Sequence, residues 1–442
     1  MIKILITFLI SLQLHALDLP SVNSYASLSE KKSGHEFLQI LWDSNSIISD
    51  VESQLYLQGI GQEMVSHSQS SDKHFDFFLL DKSSVNAFAG PYGYIGIHSG
   101  MLLESESEAE LAGVLAHEIA HVSQDHLQRF DEKTDKQSYL MAAGMLAAAL
   151  VNSSEASQAI AASTVAGAAQ QSINFTREHE WEADRVGTSI LQKSGYNPQG
   201  LADFFSKLKN SENAKEFLQT HPLSVNRMAD TVQRVARSSG EYREDSFTYL
   251  TLRARLYYHE HKRIEHSNNI ALQKYMQAYA DFDNQRYRSA KGHIIESLKA
   301  HHSASGVILA SRILSKLGEV EQAKTYLQAL NSGEVANYYL AKLYYENEMA
   351  RQGIQVLKAF LRMHQGSYQT NRLMSDLYVA IGAFERSHIY SARALVIQGD
   401  FEAAIDQYQR AKTLSNSQDL FDVLAVKIEQ LQQKLDLYEA LD

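Results

Sequence analysis

The sequence predicts a mostly α-helical protein, with one small β-sheet in its first half and an array of paired helices in its second. Three observations carry that expectation. Only four prolines occur in 442 residues (Pro20, Pro91, Pro198 and Pro222), so the last 220 residues hold none. Proline interrupts helix interiors and central strands, so a long stretch without it suits helices. Short aromatic and β-branched runs between positions 75 and 98 are bounded by turn residues, which is the pattern of strands. Beyond position 280, small residues recur at steps of 34, 30 and 34, the spacing of stacked helix pairs, with an irregular last step of half a period from 382 to 399.

Composition narrows the function classes. At this length two domains are expected, and 44% hydrophobic with 21% charged residues describes a globular chain. Lysine and arginine total 41 against 52 acidic residues, a formal charge of -11, and no basic run occurs. That balance excludes a nucleic-acid-binding surface. The absence of cysteine excludes disulfides, thiolate metal sites and cysteine nucleophiles.

The elements follow in order. Residues 1–16 (MIKILITFLISLQLHA) join Lys3 to an apolar run too short to span a bilayer, ending at the small Ala16. This is the pattern of a signal peptide, and with no cysteine it suits export to a bacterial periplasm with no transmembrane span in the mature chain. Leu38, Leu41, Ile47 and Val51 are spaced for one buried helical face. Phe75–Asp81, Val85–Ala89 and Tyr94–His98 read as strands, with Gly90-Pro91-Tyr92-Gly93 as a turn. Ser107 followed by Glu110 is a capping box that opens a helix through Leu111, Val114 and Leu115 to His117. Alanine-rich runs at 139–151 and 159–169 read either as a helical hairpin or as a flap over a site or a membrane surface. Asn174 to Leu191 is strongly helical. The polar stretch 237–245 is the expected linker between a domain at 17–236 and one at 246–442. In the latter, small residues pair at five-residue spacing (Asn284/Ser289, Gly318/Ala323, Gly382/Ser387, Gly399/Ala404, with Glu348/Gly353 fitting only in part). This predicts a tetratricopeptide-type solenoid with a concave protein-binding face.

The chemistry lies in His117-Glu118-Ile119-Ala120-His121. Two imidazoles four residues apart share one helix face and can reach one zinc ion, while Glu118 stands beside them as a base for a metal-activated water. A catalytic zinc takes three protein ligands and keeps one open position. The stretch Glu178-His179-Glu180-Trp181-Glu182-Ala183-Asp184 supplies candidates for the third. Glu180 and Asp184 share a face there, and Glu182 points roughly opposite. His179 faces away from Glu180 and reads as a surface or packing residue. His126, nine residues past His117, falls on the opposite face of a continuous helix and is left out of the site.

HEIAH at 117–121, EWEADRVG at 180–187, NAFA at 86–89 and YIGIHSGML at 94–102 together resemble the HtpX/Oma-type gluzincin zinc metallopeptidases. The resemblance implies a gluzincin domain in which His117, His121 and Glu180 bind one zinc per chain. It makes Glu118 the catalytic base and Asp184 a second catalytic residue. The residues themselves leave Asp184 open between donating a proton and holding a zinc-binding histidine by a hydrogen bond. His221, in Thr220-His221-Pro222-Leu223, reads from composition as a loop residue. The resemblance adds the expectation that it takes zinc's fourth position and keeps the enzyme latent. The branch of the family that also carries a tetratricopeptide domain implies a periplasmic endopeptidase with chaperone activity. Its implied role is quality control of outer-membrane β-barrel proteins, with unfolded clients and the barrel assembly machinery as partners. The alternative is a chaperone or assembly adaptor working mainly through its solenoid.

Overall fold

The computed structural model describes residues 24–131, 177–208, 211–236, 240–330 and 333–441. The leader at 1–16, the alanine-rich runs and residues 237–239 of the linker lie outside the described residues. The architecture is mostly helical, with one small sheet. Helices α1 (Ser24–Asp43) and α2 (Val51–Ser66) precede strands β1 (Asp76–Leu80), β2 (Ala87–Ala89) and β3 (Tyr94–His98). The sheet order is β1-β3-β2, with β1 parallel and β2 antiparallel to the central β3. Leu38 and Leu41 are buried on α1, but Ile47 lies past the left-handed turn at Asn45 and bridges to Leu80 instead of continuing a helix.

The two edges of this sheet differ. Along the outer side of β1, Gln54 and Gln62 of α2 donate to the carbonyls of Phe77 and Phe75, and Gln58 accepts from the Phe77 amide. One glutamine per helical turn thus satisfies the β1 edge and closes it to another strand. β2 is the remaining edge.

Helices α3 (Ser99–Glu104), α4 (Glu108–Ser123) and α5 (His126–Asp131) follow, then α6 (Arg177–Lys193), α7 (Gln199–Leu208), α8 (Lys215–Thr220) and α9 (Val225–Val235). Ser107 caps α4 by accepting from the Glu110 amide, and Glu110 reaches back to the Glu106 amide. The apolar face of α4 (Leu111, Val114, Leu115, Ile119) is buried with Ile95 and Ile97 of β3, Leu191 of α6 and Phe204 of α7. Each such side chain contributes about 1.5–3 kcal/mol on leaving water. Two glycines permit close helix crossings. A Cβ on Gly187 of α6 would lie 3.1 Å from the Ala116 carbonyl and the His117 Cα, and one on Gly200 of α7 would lie 2.4 Å from the Ala109 carbonyl. α4 is therefore gripped by both neighbours at backbone contact.

From α10 (Phe247–His261) onward the chain is helical. The elements are α11 (Ile270–Asp283), α12 (Tyr287–Ala300), α13 (Ala304–Lys316), α14 (Val320–Gln328) and α15 (Glu334–Glu346). They continue as α16 (Ala350–Leu361), α17 (Tyr368–Ala380), α18 (Phe384–Gln398), α19 (Phe401–Leu414) and α20 (Gln418–Glu439). Consecutive helices pack on each other along the array. The spacing of small residues has a geometric cause. Gly318, Glu348, Gly382 and Gly399 each adopt positive φ at a helix–helix turn, and five residues on a small side chain is buried. The first pair is shifted by one from the expectation: Gln285, not Asn284, takes φ 59°, and Ala290 is buried where Ser289 is exposed. The left-handed residue, rather than a small one, sets the register.

The array touches the first half at both ends. Tyr249 and Leu252 of α10 lie in the same core as α4. At the far end, His35 and Gln39 of α1 bond to the Tyr438 hydroxyl at 2.7 Å and the Gly399 carbonyl at 3.0 Å. No helix of the described residues is long and apolar enough to cross a membrane.

Candidate metal centre

One turn of α4 separates His117 from His121, and their Nε2 atoms stand 3.0 Å apart. The close crossing at Gly187 brings Glu180 opposite them, its Oε2 3.5 Å from His117 Nε2 and its Oε1 3.3 Å from His121 Nε2. His221 ends α8 with its amide bonded to the Phe217 carbonyl and its ring stacked on the Phe217 ring. Its Nδ1 lies 3.2 Å from Glu180 Oε1 and 3.4 Å from His117 Nε2. One ligand atom from each of His117, His121, Glu180 and His221 lies within 4.8 Å of the other three, and all four residues are buried.

Glu118 is fully buried, and among the described residues neither of its carboxylate oxygens has a hydrogen-bond partner; Oε1 lies 3.5 Å from His221 Nε2. Burial pushes its carboxyl up. Asp184 places Oδ1 3.1 Å from His117 Nδ1. Arg227 of α9, itself 2% exposed, donates to both Asp184 oxygens at 2.7 and 2.8 Å and reaches Glu180 Oε2 at 2.7 Å. Burial opposes ionisation of Asp184 and Glu180. The hydrogen bonds of His117 and Arg227 nevertheless hold Asp184 low, and His221, His117 and His121 hold Glu180 well below the carboxylate range. Burial also disfavours charge on His117, but Asp184 and Glu180 outweigh it and push the imidazole up to about 10, whereas burial keeps His121 low.

The donor set fits a divalent cation. Among the described residues, three carboxyl groups (Glu118, Glu180, Asp184) and three imidazoles (His117, His121, His221) converge in one buried cluster beside the Arg227 guanidinium. Asp184 takes the Nδ1 side of His117 and leaves its Nε2 facing the other ligand atoms. Imidazole nitrogen with a single carboxylate oxygen is a zinc-type set, and the absence of sulfur suits a hydrolytic rather than a structural ion.

The structure brings together every residue singled out from the sequence for this site: His117, Glu118, His121, Glu180, Asp184 and His221. Glu178 is exposed and takes no part. One expectation differs from the structure. His126 is not on the far face of the α4 helix, because α4 ends at Ser123 and Asp125 adopts φ 56°. The turn folds His126 back until its Nδ1 is 2.8 Å from His121 Nδ1. His179 is 5% exposed and stacks on His126 at 4.5 Å, which is the packing alternative of the two expected for it. Arg227 went unnoticed as a site residue. Its only signal was position, six residues beyond His221.

The free edge lies beside the cluster. On β2, Phe88 faces β3, so Val85, Ala87 and Ala89 turn their backbone groups outward. Two of these are already occupied: the Ala87 amide donates to the Asn86 side chain at 3.0 Å, and the Val85 amide donates to the Asn213 carbonyl at 3.2 Å. Asn86 in turn donates to Glu216 of α8 at 2.8 Å. The segment that carries His221 therefore also covers the edge strand.

Residues 52–235 match Peptidase family M48. The match spans the part of the chain that holds the buried cluster and agrees with the gluzincin expectation. The chain is similar to the Beta-barrel assembly-enhancing protease of Escherichia coli, 37% identical over 211 residues that make up 46% of this chain and 43% of that protein. A Putative beta-barrel assembly-enhancing protease of Vibrio cholerae is 33% identical over 229 residues, 49% of this chain and 47% of that one. Metalloprotease YcaL of Escherichia coli is 32% identical over 158 residues, 35% and 59% of the two chains. The chain spans about half the length of these curated relatives.

Proposed function

We propose that this protein is a periplasmic zinc endopeptidase that cleaves misfolded or stalled outer-membrane β-barrel proteins. The observation that carries the reading is the buried His117, His121 and Glu180 cluster with Glu118 beside it, a carboxyl group without a hydrogen-bond partner among the described residues. The substrate class rests on the names of the similar proteins from Escherichia coli and Vibrio cholerae.

His117, His121 and Glu180 would hold one zinc ion, which would supply a Lewis acid that acidifies water and polarises a carbonyl. Glu118, its proton affinity raised by burial, takes the proton from the attacking water and returns it to the leaving amine. Asp184 fixes the ring of His117 by accepting from Nδ1. His117 and Arg227 keep Asp184 ionised, which favours the positioning role for Asp184 over proton donation, since a carboxylate held low has no proton to give. Ala87 and Ala89 pair with an extended substrate backbone, so cleavage depends little on side-chain identity. His221 would offer a fourth ligand atom while its segment covers the edge strand, which supports a latent state for this conformation. Release of that segment opens both the ligand position and the strand edge. The paired helices α11–α19 act as a tetratricopeptide-type array that holds clients or assembly partners.

Zinc-loaded Glu118→Gln tests this reading. Expressed in cells that make outer-membrane barrels, it should retain uncleaved barrel proteins that co-purify and disappear when the parent is used. Recovery of the same partners, equally intact, with both forms would favour an adaptor.

A further inference from the structure

His126 and Glu182 have no part in the mechanism above, yet they form a chain that ends on a proposed metal ligand. His126 Nδ1 lies 2.8 Å from His121 Nδ1, His126 Nε2 lies 3.2 Å from Glu182 Oε2, and Arg129 donates to the same Glu182 oxygen at 2.8 Å. His126 is fully buried, and the ring of His179 stacks on it at an interplanar angle of 12°. The ring plane is therefore held by packing and not only by its hydrogen bonds.

The protons in this chain are fixed by chemistry from both ends. Glu182 Oε2 already accepts from Arg129 at 2.8 Å and faces His126 Nε2 at 3.2 Å, so it acts as the acceptor and the hydrogen on His126 Nε2 points at it. Two nitrogens 2.8 Å apart share one proton, so one Nδ1 donates and the other accepts. If His126 donated, His121 would have to accept at Nδ1 and carry its own proton on Nε2, the atom that faces Glu180 and His117. A protonated Nε2 cannot bind a metal. The arrangement compatible with ligation runs in one direction: His121 Nδ1–H donates to His126, and His126 Nε2–H donates to Glu182.

We infer that His126 is a positioning residue for the metal centre, and that with Glu182 and Arg129 it selects the tautomer of His121 that directs its Nε2 lone pair at the ion. His117 has its own carboxylate in Asp184. His121 reaches a carboxylate through an intervening imidazole, so the two ligands are oriented by different devices of the same kind. The turn at Asp125 that ends α4 is what makes the second device possible.

This inference rests on the proposed metal reading, and the experiment separates the two. Zinc affinity is measured by competition with a chromophoric chelator on the full chain. The compared forms are the parent, His126→Phe, which keeps a ring without an acceptor, and His126→Gln, whose amide oxygen can accept from His121. The parent should bind one zinc. His126→Phe should bind it about 10- to 100-fold more weakly, and His126→Gln should recover most of the loss. Glu182→Ala, at a partly exposed side chain, should lose several-fold and carries the test if His126→Phe fails to fold. Nitrogen-15 NMR of the zinc-loaded parent should find the proton of His121 on Nδ1 and that of His126 on Nε2. Zinc affinity within twofold of the parent in His126→Phe or in a folded Glu182→Ala, or the opposite tautomers, would overturn the inference. A parent that binds no zinc would instead overturn the metal reading.

Discussion

At the scale of single residues, the candidate site was legible because its chemistry is written in short spacings. His117, Glu118 and His121 fall within five positions, and Glu180 and Asp184 share a helix face by their four-residue separation. What the sequence hid was contact made by a change of direction. His126 escaped because helix periodicity was extended past Ser123, where a left-handed Asp125 ends it. Arg227 escaped because an arginine six positions past His221 has no periodic relation to α6. Its bidentate grip on Asp184 sets the first prediction. Asp184→Asn keeps the shape but leaves Arg227 and His117 facing a neutral amide. Zinc affinity should fall about 10- to 100-fold and cleavage should recover at saturating zinc, as titration of activity with zinc will show. Unchanged affinity would leave Asp184 without the positioning role.

At the scale of elements, the strands and α4 followed from aromatic runs and a capping box, whereas the first repeat was misplaced by one residue. Small residues mark a helix crossing only indirectly. The direct determinant is the left-handed residue at the turn, and Gln285 and Glu348 occupy that conformation without being glycine. Element packing also sets the metal geometry. Gly187→Val places new atoms against the Ala116 carbonyl and the His117 Cα, contacts already at 3.1 Å for a single Cβ. The overpacking costs about 1–3 kcal/mol. It should also weaken zinc binding by moving Glu180 away from the two histidines, a loss seen by chelator competition even where the variant remains folded. The α8 segment gives a second test. Because His221 and Glu216 occupy the ligand cluster and the Asn86 side chain, His221→Ala should keep its zinc and cleave unfolded casein faster than the parent. An unchanged rate would remove His221 as the gate.

At the scale of the molecule, the two-part organisation was expected from length and from the proline-free second half. The return of α1 to α19 and α20 was not legible, because contacts such as His35 to Tyr438 join positions some four hundred residues apart and leave no local pattern. The joint between the halves includes an ion pair, Arg255 of α10 with Glu52 of α2 at 3.0 Å, whose side chains are 8% and 4% exposed. Removing Glu52 leaves Arg255 with only the longer contact to Asp50 at 3.6 Å, so the cost stays below the ~3–5 kcal/mol of a fully stranded buried charge. Glu52→Ala should therefore lower the melting temperature clearly, and Glu52→Leu combined with Arg255→Met should regain most of it. A Glu52→Ala melt equal to that of the parent would show that this joint does not hold the halves together.

The central claim is that the buried cluster hydrolyses peptide bonds through Glu118. It is tested most directly by casein cleavage with zinc-loaded parent and zinc-loaded Glu118→Gln, zinc content being measured on the same samples. Both forms should hold one zinc per chain, and the variant should lose cleavage by about 100- to 10,000-fold. Cleavage by Glu118→Gln at the rate of the parent, with its zinc in place, would contradict the account.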